Sequence, residues 1–164
     1  MAILVRAMEQ GDVAEACALL NEIIAIGGTT AFQSAFDDSG FATAFLTDNR
    51  VICCHVALDD AGHVAAFQWL GVNPNLPVDC ADIASFARQT DPVKGAGRAM
   101  FAVTTKAALS EGYTQINATI RADNAPGLGY YTAMGFRDHD IARAKPLADG
   151  TRVDRVSKRF DLTG

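Results

Sequence analysis

The chain has 164 residues, 49% hydrophobic and 20% charged, with a net charge of −5, which suits one globular domain over residues 1–164 with one core. A chain of this length buries roughly 70% of the surface its unfolded form exposes, so neither a disulfide framework nor a structural metal is required. The acidic balance argues against a nonspecific nucleic-acid binder, which needs a basic stripe to neutralise phosphates. Cys17, Cys53, Cys54 and Cys80 contain no C-x-x-C pair and read as small hydrophobes in a reduced core, which points to the cytoplasm. Arg6, Glu9 and Asp12 interrupt any opening apolar run, so no signal peptide is expected. No stretch approaches the roughly 18 apolar residues of a membrane span, and no membrane role is expected.

In chain order, Ala2 to Met8 is an apolar run that reads as a strand, and Gly11-Asp12 starts a helix. Cys17, Leu20 and Ile24, with Ala16, Leu19 and Ile23, then recur at helical spacing up to Gly27-Gly28. Between Thr29 and Asp48, Phe32, Phe36, Phe41 and Phe45 suggest a second, short helical segment over the core. Val51–Leu58 and His63–Val72 flank Asp59-Asp60-Ala61-Gly62, a hairpin turn. Asp79–Arg88 reads as a further strand. Asp91-Pro92-Val93-Lys94-Gly95-Ala96-Gly97 is a glycine-rich loop that opens into a helix built on Met100, Phe101, Thr104, Ala107 and Ala108 and stopped at Gly112. Thr114–Ile120 reads as a strand. Asn124-Ala125-Pro126 starts a helix that ends at Gly135, and Phe136 begins the next strand. Ala148-Asp149-Gly150 is a turn before a last strand over Thr151–Leu162. The pattern is a mixed α/β layer with antiparallel hairpins.

The glycine loop carries the first chemical signal. A helix N-terminus presents unpaired N–H groups and the positive end of the macrodipole, which suits phosphate or pyrophosphate. Neither the P-loop nor the dinucleotide fingerprint is complete, because residue 100 is Met and Lys94 precedes Gly95. Alone, the loop is equally a plain tight turn.

One helix further on, Asn124, Tyr131, Gly135 and Phe136 stand as N-x6-Y-x3-G-F. Together with V-K-G-A-G-R-A-M at residues 93–100, this resembles the GCN5-related N-acetyltransferase family, closest to its phosphinothricin and amino-acid-analogue branch. The resemblance implies a mixed, mostly antiparallel sheet of about seven strands flanked by about four helices, splayed between strands 4 and 5. It also implies an acetyl-CoA-dependent enzyme that uses no metal. By that resemblance Phe86 and Ala87 lie along the pantetheine arm, Val93, Lys94, Gly95, Ala96, Gly97 and Arg98 hold the pyrophosphate, and Asn124 stands beside the cofactor. The same resemblance implies that Tyr131 protonates the departing thiolate. Pro92 occupies the place of the family's Gln or Arg and lacks an N–H.

Acyl transfer from a thioester to an amine needs a proton taken from the amine and one given to the sulfur. A tyrosine of pKa about 10 is a plausible donor to a thiolate of about 8.5; the alternative for Tyr131 is a core aromatic stacked on Phe136, and Tyr130 reads as packing. In the branch a glutamate ten residues before the loop's Gln or Arg position acts as base; counting back from Pro92, the resemblance implies Asp82 in that place, one methylene shorter and suited to act through water, the alternative being a solvated strand-end charge. Thr29-Thr30-Ala31-Phe32 resembles the acceptor-side segment and Arg152-Val153-Asp154 the final-strand segment, so Phe32, Gln68, Trp69 and Arg152 are expected at the acceptor pocket. Any of Arg121, Arg152 and Arg155 could hold an acceptor carboxylate. His55, His63 and His139 share no spacing, and surface or hairpin positions are expected for them. The expected acceptor is a small primary amine, led by amino acids and their analogues; a non-catalytic acyl-CoA-binding domain and a protein N-terminal acetyltransferase are the rivals. Family members pair through C-terminal strands, which implies a homodimer.

Overall fold

The computed structural model describes residues 3–164. Its strands are β1 (Leu4–Ala7), β2 (Val51–Leu58), β3 (Val64–Gly71), β4 (Cys80–Ala87), β5 (Gln115–Arg121), β6 (Arg137–Pro146) and β7 (Arg152–Asp161), and its helices are α1 (Val13–Ile26), α2 (Asp38–Ala42), α3 (Ala96–Ser110) and α4 (Ala125–Met134). The strands form one sheet in the order β1-β2-β3-β4-β5-β7-β6. Every neighbouring pair is antiparallel except β4 and β5. The mixed sheet and its four flanking helices follow the sequence expectation.

Local chemistry accounts for the joints. Arg6 donates to both oxygens of Asp12 at 2.7 and 2.9 Å, fixing β1 to the start of α1 and holding the Asp12 carboxyl below the usual carboxylate range. At the β2–β3 turn Asp59 accepts from the amides of Ala61 and His63, and Gly62 takes φ 84, the left-handed conformation glycine reaches without strain. Arg88 reaches back to Asp59 at 2.8 Å, so the turn also anchors the exit of β4.

Strand alternation gives the sheet two unlike faces. On one, α1 and α2 cover Phe67, Trp69 and Phe86, with Phe41 and Phe67 fully buried; each such side chain contributes about 1.5–3 kcal/mol. On the other, Ile116, Ala118 and Ile120 pack with Phe101, Tyr131 and Phe136 beneath α3 and α4.

Two expectations need adjustment. The first strand is shorter than Ala2–Met8, and Ala2 lies outside the described residues. In the aromatic segment only residues 38–47 are helical, as α2 and a π turn over Thr43–Thr47. Residues 29–37 run irregularly because Asn21 takes up both the N–H and the carbonyl of Phe36, at 2.8 and 2.9 Å. The four cysteines are free; burial pushes Cys53 up to about 11 and Cys54 higher still, leaving inert thiols. Among the described residues no helix is long and apolar enough to cross a membrane.

Candidate active site

The parallel pair holds only from Cys80–Ile83 on β4 to Gln115–Ala118 on β5. Beyond Ile83 the strands part, while β4 stays laddered to β3 through Ala87. The edge of β4 that faces β5 therefore presents unpaired backbone groups over Ala84–Ala87, a template for an extended polar chain. A cleft of about 520 Å³ fills the opening. Ile83–Ala87, Thr119–Arg121, Asn124, Tyr130, Tyr131 and the Thr29–Phe32 segment line it. Of the residues singled out in the sequence, Phe86, Ala87, Gly97, Asn124, Tyr131 and Phe32 meet there.

At one end of the cleft stands the first turn of α3. Gly95 caps the helix at φ 87, and the amides of Gly97 and Arg98 have no backbone acceptor among the described residues. Lys94 and Arg98 are exposed and make no ion pair among those residues. Four free features of positive sign thus converge on one helix end, the arrangement that binds phosphate oxygens. Val93 accepts the Ala96 amide at 3.3 Å and closes the turn. Pro92 lies ahead of it, so its missing N–H removes none of the Gly97 and Arg98 donors.

A buried polar network forms the floor. Gln68 is fully buried on β3. Its amide nitrogen donates to Ser85 Oγ at 2.8 Å and to the Tyr130 hydroxyl at 3.1 Å, while its oxygen accepts from Thr104 at 2.6 Å. Tyr131 donates to Ser85 Oγ at 2.9 Å, and Tyr130 donates to the Gly97 carbonyl at 2.7 Å. Burial raises the pKa of both hydroxyls, that of Tyr131 most, so Tyr131 keeps its proton at any physiological pH. Tyr131 also packs edge-on to Phe136 at 5.1 Å; core contact and cleft position coexist in one side chain. Tyr130, read from sequence as packing, ties the floor to the helix end. A Cβ on Gly97 would lie 2.5 Å from its ring, so glycine here serves the close approach of Tyr130.

Several expected residues stand elsewhere. Gln68 lies beneath the cleft and does not line it, because alternation along β3 turns it toward α3 and Ser85. Trp69 and Asp82 face the opposite way and line a smaller pocket of about 470 Å³ with Asn73 and Arg50. Asp82 accepts from Asn117 at 3.0 Å and from Asn73 at 3.1 Å, and burial raises its pKa despite those bonds. Arg152 donates to the Ala144 carbonyl on the β6–β7 hairpin and does not reach the cleft; Arg121 and Arg155 line it instead. Asn124 caps α4 by accepting from the Gly127 amide, and its nitrogen donates to the Thr29 carbonyl at 3.0 Å. His55 is half-buried on β2, and burial lowers its pKa; His63 and His139 lie on the surface. Sequence reasoning missed Ser85, which holds the Tyr131 hydroxyl. A single small polar residue in a strand carries no mark of the partner that a neighbouring strand or helix brings to it.

The splayed sheet, the helix end and the tyrosine together define the fold of the GCN5-related N-acetyltransferases, and the chain has that fold. It superposes on an N-acetyltransferase from Staphylococcus aureus with a TM-score of 0.87 at 16% identity, covering 99% of this chain and 100% of that one. A phosphinothricin acetyltransferase from Sinorhizobium meliloti in complex with acetyl-CoA gives 0.85 at 17% identity, over 99% and 89%. A ribosomal-protein-alanine N-acetyltransferase from Brucella melitensis gives 0.85 at 17% identity, over 96% and 99%. No protein-family model matches the chain, and no curated protein sequence is significantly similar to it.

Proposed function

We propose that the protein is an acetyl-CoA-dependent N-acetyltransferase acting on a small primary amine, with amino acids and their analogues as the leading substrates. The observation that carries this reading is the cleft at the β4–β5 opening, which runs from the free amides of α3 past an unladdered strand edge to the Tyr131 hydroxyl. The residues fit the cofactor. The Gly97 and Arg98 amides with Lys94 and Arg98 would hold the pyrophosphate, and the edge of β4 at Ala84–Ala87 would take the pantetheine amides. When bound, acetyl-CoA supplies the acetyl group as an activated thioester.

The chain's own residues supply the rest. Ser85, itself held by Gln68, positions the Tyr131 hydroxyl from beneath, and rotation of that O–H away from Ser85 Oγ would present its proton to a leaving sulfur. Asp82, on the other face of the sheet, takes the proton of the incoming amine through water, since both its oxygens already accept from Asn73 and Asn117. Acid and base then serve opposite sides of the opening. The four cysteines, read as reduced thiols, support a place in the cytoplasm, and β6, which ends the sheet as an exposed strand carrying Ile141 on its surface, supports a homodimer.

The test is free-thiol release from acetyl-CoA with a panel of amines, alongside calorimetric titration of acetyl-CoA. Tyr131→Phe should lower kcat by about 10²–10⁴-fold and leave acetyl-CoA affinity within about twofold, because the hydroxyl acts on the leaving sulfur and not on binding. Equal loss of both refutes the donor role. Binding without turnover on any amine favours an acyl-CoA-binding module. The Brucella neighbour's name and the open cleft favour one second reading, acetylation of a protein N-terminus, and peptide acceptors belong in the panel for that reason.

A further inference from the structure

The face of the sheet that carries Asp82 also carries a row of arginines. Arg159 donates to Asn117 at 2.9 Å and to Gln115 at 3.3 Å. Arg121 is forked onto Asp123, with Nε at 2.9 Å and Nη2 at 2.7 Å, and its Nη1 donates to the Thr30 carbonyl at 3.1 Å. Arg155 stands on β7 directly across from Arg121. Like charges opposite one another repel, and the Asp123 carboxylate is taken up by Arg121. Asp154, next in the chain, faces the other way and accepts from Arg143 and the Ala144 amide. Arg155 makes no ion pair and no side-chain hydrogen bond among the described residues, and its Nε is buried without a partner. A partly buried guanidinium left in this way is costly unless an anion completes it. It lines the cleft, beside Thr30 and Phe32.

The anions of a bound cofactor do not complete it, since the helix end that suits them lies on the opposite face, under α3. What remains is the acceptor, which reaches the opening from the face of Asp82 and Arg121. Deepening the transferase reading above and resting on it, we propose that Arg155 binds the free carboxylate of the acceptor, with Arg121 held as its neighbour by Asp123 and Thr30. A guanidinium takes a carboxylate bidentately, so the acceptor is an amine that carries a free carboxylate, an amino acid, in preference to a plain amine or a peptide N-terminus. Arg155 is then a specificity-determining residue, and Phe32 supplies an apolar wall for the side chain.

The experiment compares matched acceptors, the amino acids against their carboxamides and their decarboxylated amines, in the parent protein, Arg155→Gln and Arg155→Lys. The parent should prefer the acid over the amide by at least about tenfold in kcat/KM, the preference should collapse to about one in Arg155→Gln, and Arg155→Lys should restore part of it. Acetyl-CoA affinity, measured calorimetrically in each variant, should change less than about twofold. Amides as good as acids in the parent, equal losses on every acceptor, or weakened acetyl-CoA binding in Arg155→Gln each overturn the proposal. Binding of the amino-acid panel to the coenzyme A-saturated protein, followed by thermal shift, separates the two ideas. Arg155-dependent binding of the acids without acetyl transfer upholds the carboxylate site and removes the transferase reading. Transfer indifferent to the carboxylate does the reverse, and neither binding nor preference refutes the site.

Discussion

Gly97→Ala sets two opposing effects against each other at one atom. Gly97 is inside α3, and alanine is favoured over glycine in a helix interior by about 1 kcal/mol. The new methyl, however, would stand 2.5 Å from Cε1 and 3.1 Å from Cζ of Tyr130. The ring cannot swing aside freely, because its hydroxyl donates to the Gly97 carbonyl at 2.7 Å and accepts from Gln68 at 3.1 Å. Breaking these bonds costs about 1 kcal/mol each, and overpacking adds about 1–3 kcal/mol. The clash wins, and the variant should lose about 2–4 kcal/mol in urea unfolding, or about 2–4 °C of Tm per kcal/mol for a domain of this size. Tyr130→Ala removes the obstacle. In that background Gly97→Ala should become stabilising by up to about 1 kcal/mol, so the sign of one substitution reverses across the double-mutant cycle. A Gly97→Ala protein as stable as its parent, or a cycle with no coupling, would show that Tyr130 does not rest on the helix end as described.

Gln68→Leu removes the hub beneath the cleft and strands Ser85, Tyr130 and Thr104 without that partner. It should cost about 2–4 kcal/mol by urea unfolding, and a loss under about 0.5 kcal/mol would mean the network does not hold the floor. Asp82 responds to pH in the opposite sense to most carboxylates. Burial raises its folded-state pKa above the unfolded value of 3.8, so its contribution to stability is full below that value and is lost as pH rises through the raised pKa. The stability of Asp82→Asn relative to the parent should therefore fall as pH is lowered from 7 toward 4. Denaturation across that range checks it, and a difference that widens in the other direction refutes it. If Asp82 is the base, kcat/KM in the parent should also show an acidic limb above the ordinary carboxylate range, absent from Asp82→Asn.

Much of the fold was legible in the chain because its signals are local. Helix ends at Gly27 and Gly135, the Asp59–Gly62 turn, and proline after Asn124 are each fixed by the dihedral freedom or the donors of one or two residues. The glycine loop and the N-x6-Y-x3-G-F spacing are local in the same way, and they brought Gly97, Asn124 and Tyr131 to one cleft. Where strand register entered, sequence reasoning reached less far. Alternation gives two faces but not which face meets which helix, so Gln68 was expected at the acceptor pocket and lies beneath it, while of the three arginines the sequence offered Arg121 and Arg155 line the cleft and Arg152 does not.

The sequence by itself determined the element order, the helix end suited to phosphate and the tyrosine beside it, since all of these depend on neighbours within about one turn or one loop. Only the tertiary structure decided where β4 and β5 part, just beyond Ile83, that Ser85 and Gln68 hold Tyr131 in place, and that Arg155 faces the opening with no ion pair among the described residues. Those features join residues far apart in the chain, and their energies come from burial and charge pairing that no short window of sequence contains.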